Sequence, residues 1–335
     1  MNFINILNHI LRPLEWVVAQ LLTLFHHALV TFGMTAGPSP AWGIAIMCLV
    51  LVIRICLLPL FLSQMRAMQR IQVLQPQIQR IQHKYAARKD PRSKEAMQRE
   101  IMALQQRYNA NPLGSCLPSL IQAPILCSLF YTLQSLPAIA DGNAEPLGGI
   151  DHTMAGDIES SSIFGVRIAD SFGTVASPQS RIIIGVAVAL MCLTLFAIQW
   201  MLIHRNTSKD AMVSPQFRVQ KMTVFVFPAI YVVSGATLPF GVLLYWLTNN
   251  LWNLGQTLCQ LRWFPTPGSA AGERKARRDY EQDNRRRAAA GLPSLEEERA
   301  MAAREEAKAR REREKSAASR NRKQHKTPHL AKRSI

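Results

Sequence analysis

Hydrophobic positions along the chain fall into long runs separated by basic or acidic stretches. The first run, Trp42 to Leu62, is WGIAIMCLVLVIRICLLPLFL and carries a single charge, Arg54. A helix rises ~1.5 Å per residue and needs about 20 apolar residues to cross the hydrocarbon of a bilayer, so 42–62 predicts a first span with Arg54 a little beyond its middle. Further runs predict a second span over 115–137, a third over 181–203, a fourth over 222–237 and a fifth over 238–261. Only Leu238-Pro239-Phe240-Gly241 separates the last two, which predicts a tight helical hairpin.

The intervening segments have their own periodicities. Residues 1–33 are apolar on one side but interrupted by Asn8, His9, Arg12, Pro13, Glu15, Gln20, His26 and His27, a pattern that suits a helix lying in the membrane interface. In 63–111, Met65, Met68, Ile71, Leu74, Ile78, Ile81 and Tyr85 recur at spacings of three and four, as do Met97, Ile101, Leu104 and Tyr108. That spacing predicts two amphipathic helices packed on each other, with Asp90-Pro91 as the turn and a bend at Pro76.

Charge adds orientation. The 63–111 hairpin has ten Lys/Arg against three Asp/Glu, the loop 204–221 has four against one, and the tail from Arg262 has 21 against 11. The loop 138–180 reverses the sign, with six acidic residues and one Arg. Lys and Arg favour cytoplasmic loops, and five spans put every basic segment on that side, with the N-terminus outside and the C-terminus in the cytoplasm. The net charge of +17 thus reports topology first. The tail 262–335 reads as a solvated segment, disordered or helical, and equally as a contact for anionic lipid or ribosomal RNA.

Six cysteines lie in or beside apolar runs, with no CxxC and no Cys/His cluster at metal spacing, so they read as small membrane hydrophobes. No metal or other cofactor is implied, and no glycine-rich phosphate loop is present. No basic region precedes Arg12, so a removable signal peptide is not expected.

Polar residues inside the apolar runs are the candidate chemistry. An intramembrane arginine costs roughly 2.5–3.5 kcal/mol on insertion scales, and no run that could span contains an Asp or Glu to pair with Arg54. On the predicted topology Gln122, with Ser115 and Ser119, lies in the cytoplasmic half of the second span, and Gln199 near the cytoplasmic end of the third. Tyr245, Asn249, Asn253 and Gln256 form one stripe on the fifth. Together with Trp246 they predict a wet groove open to the cytoplasm with Arg54 as its floor. The competing readings are interhelical hydrogen bonding for the amides and snorkelling for Arg54.

LVIRICLLPL (51–60), LQPQIQRIQHKY (74–85), NPLGSCLPSLIQAPI (111–125) and PFGVLLYWLTNN (239–250) followed by Gln256 resemble, in order and spacing, the core of the YidC-type membrane protein insertases of the YidC/Oxa superfamily. The resemblance covers about residues 10 to 262. It implies an all-α membrane protein of the bacterial cell membrane, with a five-transmembrane-helix core, an extracytoplasmic interfacial helix, a cytoplasmic helical hairpin and a groove whose arginine matches Arg54. It further implies a non-enzymatic function, receiving hydrophobic segments of nascent membrane proteins and releasing them into lipid, alone or beside the Sec translocon. Arg66, Arg70, Arg80, Lys84, Tyr85, Arg99 and Arg107 are then the hairpin's candidates for contact with the ribosome or a targeting receptor. Ser115 departs from the family's usual glycine. Two other classes stay open on the residues alone, an anion channel or transporter built on Arg54 and a membrane anchor whose basic tail holds nucleic acid.

Overall fold

The computed structural model describes residues 3–88, 90–108, 110, 117–213 and 215–325. Ser115, Cys116 and the side chain of Ser119 lie outside the described residues. The chain forms two compact units, Met1–Glu273 and Arg274–Ile335.

The longest element of the first unit is α2, Ala41–Tyr85, a single helix of 45 residues that runs through Pro59 and Pro76. The expected first span and first hairpin helix are therefore one rod, about 68 Å long. No glycine, Asn or Asp lies between Leu62 and Tyr85, the helix continues through Pro76, and the Gln, Met, Arg and Ile that fill this stretch are mostly good helix formers. The polarity changes at Leu62 while the backbone does not. Helix α3, Pro91–Arg107, folds back on its basic end. Asp90 caps α3 by accepting from the Ser93 N–H at 2.8 Å, with Pro91 in the first turn. Leu74, Ile78 and Ala110 are buried between the two arms, with Ile71, Ile101 and Leu104 against them. Of the amphipathic stripes read from the sequence, Ile71, Leu74, Ile78, Ile101 and Leu104 form that interior, whereas Met65 and Met68 line a recess beside α8 and Tyr108 is exposed.

The bundle is completed by α4 (Leu117–Ala140), α6 (Pro178–Arg205), α7 (Pro215–Thr237) and α8 (Phe240–Trp263). Helix α8 packs on both α6 and α2, and α7 packs on α6. Helix α7 begins at Pro215, inside the stretch expected to be a loop up to residue 221.

At the end remote from the hairpin the 141–177 segment folds into a lid. It contains α5 (His152–Ser160), capped by Asp151, and a two-stranded antiparallel hairpin, β1 (Ser162–Ile163) and β2 (Val166–Arg167). Its turn residues Phe164 and Gly165 both have positive φ. Ile150, Ala155, Ile158 and Ile168 join a core with Trp42, Ile46, Leu49, Leu133 and Val242. The lid also supplies acceptors to α8, whose first N–H groups have no partner within the helix. Phe240 N–H donates to the Asp170 carbonyl at 2.7 Å and Gly241 N–H to the Ile168 carbonyl at 2.9 Å. A side chain at 241 would reach 2.7 Å from Ile168 Cγ2 and 3.2 Å from Leu133 Cδ1, so the close approach of lid, α4 and α8 requires glycine there.

Helix α1, Phe3–Thr31, packs on α2 and α4. Over the ~15 Å from Trp16 to His26 it keeps to the lidded end. The Trp16 carbonyl, Ala19 and Thr23 lie against Gly148 and Gly149, and His26 stacks on Trp42 with ring centroids 3.8 Å apart. By length and composition alone α1, α2, α4, α6 and α7 are apolar enough to cross a membrane, and α8 is not among them. The hydrophobic pattern along the sequence counts α8 and sets α1 aside. The polar stripe of α8 lowers its mean hydropathy, while its position at the centre of the bundle buries nine of its residues, Tyr245 and Asn250 among them.

The second unit is helical. Helix α9, Ala270–Ala289, enters it, and α10 spans Leu295–His325. Ser294 and Glu297 form a reciprocal cap at the start of α10, Ser294 N–H to Glu297 Oε2 at 2.8 Å and Glu297 N–H to Ser294 Oγ at 3.3 Å. All five cysteines among the described residues are free thiols.

Candidate substrate groove

Arg54 lies about 20 Å along α2 from Ala41. It is half-buried and points at α8, where Nε donates to Asn249 Oδ1 at 2.8 Å and Nη2 shares the same oxygen. Among the described residues it makes no ion pair. The carboxamide oxygen satisfies two of its five N–H donors and leaves its full charge uncompensated. Gln122 of α4 donates to the Tyr245 hydroxyl. Tyr245 is almost fully buried and belongs to the core beneath the lid. The polar region thus ends abruptly at apolar packing on the lidded side.

Arg54, Gln122, Asn253 and Gln256 line one recess of about 430 Å³, together with Leu57 and Gln64. Asn249 holds the arginine from behind and Tyr245 holds Gln122. Gln199 lies elsewhere, in an adjoining recess of about 340 Å³. The two recesses share Phe61, Gln64, Asn253 and Gln256, so the polar surface runs on from Arg54 toward the hairpin end. Trp246 lines neither recess. It faces away from them and stacks on Tyr231 of α7 at 5.0 Å, because it lies one residue off the polar stripe of α8.

Several lining residues escape the sequence reading, among them Gln64, Gln69 and Gln72 of α2, Gln220 of α7 and Gln260 of α8. The signal existed for α2: Arg54, Phe61, Gln64, Met68 and Gln72 succeed one another at helical spacings of seven, three, four and four. It goes unnoticed if the helix is cut at Leu62. A third cleft of about 440 Å³ between α2 and α8 is almost wholly apolar, with Leu58, Leu62, Leu251 and Trp252 in its wall.

On the hairpin, Arg66, Arg70, Arg80, Lys84, Arg99 and Arg107 are all exposed and Tyr85 is half-buried. Lys84 Nζ meets Glu100 at 2.9 Å across the two arms, and Arg99 lies 3.5 Å from Glu95. The hydrogen bond from Lys84 holds the Glu100 carboxyl below the usual range and, reciprocally, holds the Lys84 ammonium above its own.

Comparison with known proteins gives consistent relatives. A family model described as 60Kd inner membrane protein matches residues 34–266. The membrane protein insertase YidC of Bifidobacterium longum is 44% identical over 91% of this chain and 90% of that protein. The protein of the same name from Streptomyces avermitilis is 34% identical over 80% of this chain and 61% of its own length. That of Tropheryma whipplei strain Twist is 30% identical over 82% and 90%.

Proposed function

Since the chain belongs to the 60Kd inner membrane protein family, that of the YidC membrane protein insertases, we propose that it inserts membrane proteins by way of the Arg54 recess. It is a multi-pass α-helical membrane protein, and its substrates are nascent membrane proteins. The observation that carries the mechanism is the partner of Arg54: an amide oxygen neutralises nothing, so the guanidinium keeps an unspent attraction for a substrate carboxylate.

The polar or acidic flank of an incoming segment enters the recess while its apolar part stays against lipid-facing helices. Burying an unpaired amide or hydroxyl costs ~1–3 kcal/mol on protein scales. A polar chamber that reaches part of the way across the bilayer reduces the number of such groups stripped of partners at once. The core of Leu49, Leu129, Leu133 and Val242 closes the far side. No bond is made or broken in the substrate.

The charge distribution supports an orientation with the hairpin, the 206–213 turn and the tail in the cytoplasm, the lid outside, and α1 lying across the outer end as an interfacial helix. On that orientation α2, α4, α6, α7 and α8 are the spans. The exposed basic face of the hairpin and the tail are the surfaces offered to the ribosome, the Sec translocon, a targeting receptor or anionic lipid.

The test is insertion into proteoliposomes of a single-span substrate with an acidic outer tail, by wild type, Arg54→Ala and Arg54→Lys. The expected result is a loss with alanine and substantial retention with lysine. Equal insertion by all three, for acidic and uncharged tails alike, would remove the electrostatic step.

A further inference from the structure

The apolar cleft of about 440 Å³ between α2 and α8 has no part in the Arg54 step, yet it adjoins it, because Phe61 and Gln256 line both the cleft and the Arg54 recess. It begins one turn beyond Arg54 on the hairpin side, at Leu58, and runs to Met65. Toward the lid α2 and α8 share one buried core through Ile46, Val50, Val242 and Tyr245. At the hairpin end Phe264 closes the cleft, and its carbonyl accepts from Gln69 Nε2 of α2. Gly255 opens it on the α8 side, where a Cβ would meet no heavy atom within 4 Å.

Two largely exposed stripes edge the cleft. On α2, Leu51, Ile55, Leu58 and Leu62 follow one another at steps of four, three and four, and the next step of four is Arg66. On α8, Leu251, Gly255 and Leu258 follow at steps of four and three, and the next step of four is Arg262, with the exposed Trp263 beside it. Such steps keep residues on one helix face, so each apolar stripe ends on an exposed guanidinium at the same end of the cleft. From Leu251 to Arg262 is ~16 Å along the helix, about half of the ~30 Å of bilayer hydrocarbon. The cleft therefore has the length of one leaflet, which suits an acyl chain and is too short for a spanning helix. Apolar walls alone select no lipid, since tails are as apolar as leucine. Selection falls to the two arginines, whose planar forks match phosphate, at the depth where basic residues and tryptophan meet head groups.

We propose that this cleft is a binding site for one anionic phospholipid of the cytoplasmic leaflet. One acyl chain lies against Gly255 between Leu58 and Leu251, and the phosphate is held between Arg66 and Arg262. The choice of leaflet rests on the reading of the chain as an insertase with its hairpin in the cytoplasm. The chain of the lipid backs the wall that Phe61 and Gln256 present to the Arg54 recess. The lipid thus belongs to the shape offered to a substrate, and Arg66 serves the membrane surface before it serves any partner of the hairpin.

The experiment reconstitutes the full-length protein in phosphatidylcholine vesicles. These contain a trace of phosphatidylglycerol or of phosphatidylcholine with a photoactivatable group midway along one chain, and adducts are located by peptide mass spectrometry. Phosphatidylglycerol should label 58–62 and 251–259 about thirtyfold more than phosphatidylcholine, or about fivefold for each arginine. Arg66→Gln and Arg262→Gln should each remove about a fivefold share, and the double variant should be labelled alike by both lipids. Gly255→Leu fills the cleft and improves the helix, so it should abolish labelling there while lipid labelling of Leu193, on the exposed face of α6, persists. Gly255→Ala leaves room for the chain and should keep the labelling. Equal labelling of wild type by the two lipids, or wild-type labelling of the arginine pair variant or of Gly255→Leu, overturns the proposal. Capture of a protein in place of lipid by a photo-crosslinking amino acid at position 255, in cell membranes, overturns it as well. Each readout is of lipid, so these failures leave the Arg54→Ala insertion assay standing. Equal insertion in that assay, with the labelling intact, would instead count against the insertase mechanism alone.

Discussion

Replacing Asn249 by Asp separates the charge of Arg54 from the wetness around it. The two side chains share a shape, and Oδ1, which both carry, already lies 2.8 Å from Arg54 Nε, so exchanging Nδ2 for a second oxygen installs a carboxylate against the guanidinium with no movement of α8. Two unit charges about 4 Å apart at an effective dielectric of about 20 interact by ~4 kcal/mol. Desolvating the new carboxylate offsets several kcal/mol of that, so the net change in stability is within about 2 kcal/mol. A substrate carboxylate, by contrast, now meets a neutral pair. If screening in the open recess halves its attraction, the loss is ~2 kcal/mol, or about thirtyfold in occupancy. The assay is the initial rate of tail translocation in proteoliposomes, read by protease protection, for matched substrates with acidic and uncharged tails. The acidic tail should slow by about an order of magnitude or more and the uncharged tail by no more than about twofold. An acidic tail translocated by Asn249→Asp at the wild-type rate would refute the claim that Arg54 waits for a charge. An equal fall for both tails would assign Arg54 a structural part only.

Two further outcomes arise from the packing. Gly241→Ala forces a methyl to 2.7 Å from Ile168 Cγ2 where lid, α4 and α8 meet, and overpacking of this kind costs about 1–3 kcal/mol; thermal unfolding in detergent should fall by several degrees, and an unchanged midpoint would show that the lid yields freely. The Lys84–Glu100 contact holds the glutamate pKa down, so its contribution to hairpin closure is present above the ordinary glutamate range and fades as pH drops through the lowered value. Amide exchange in α3 should accelerate on acidification in wild type and lose that component in Glu100→Gln; identical profiles would show that the pair contributes nothing.

Arg54 and the α8 stripe were legible in the sequence because a charge and amides stand out against apolar neighbours at helical spacing. The hairpin interior was legible for the same reason, with Leu74, Ile78, Ile101 and Leu104 at the predicted positions. The illegible features depended on contacts distant in sequence. Gln64, Gln69 and Gln72 look like hairpin surface until α2 is seen to continue through Leu62, after which they fall on the Arg54 face. Trp246 looks like groove wall from its neighbours Tyr245 and Asn249, yet a step of one residue turns it by 100° to Tyr231. The lid's strand pair was hidden because its turn is Phe164-Gly165, and phenylalanine is an unusual choice for a left-handed backbone position. A tail boundary at residue 262 divides the wrong place physically: Thr266 and Ser269 are buried in the first unit, which runs to Glu273. A truncation meant to test the tail alone therefore belongs after residue 273.

The central claim is that a translocating polar segment passes through the recess beside Arg54 and not along the lipid-facing surface. Photo-crosslinkers at Ala123, in the recess wall, and at Leu193, on the exposed face of α6, address it in one measurement with a stalled nascent membrane protein. Strong crosslinks from Ala123 to the polar flank of the substrate, and weak ones from Leu193 to that same flank, are the predicted result. Crosslinks to the polar flank from Leu193 alone would contradict the account.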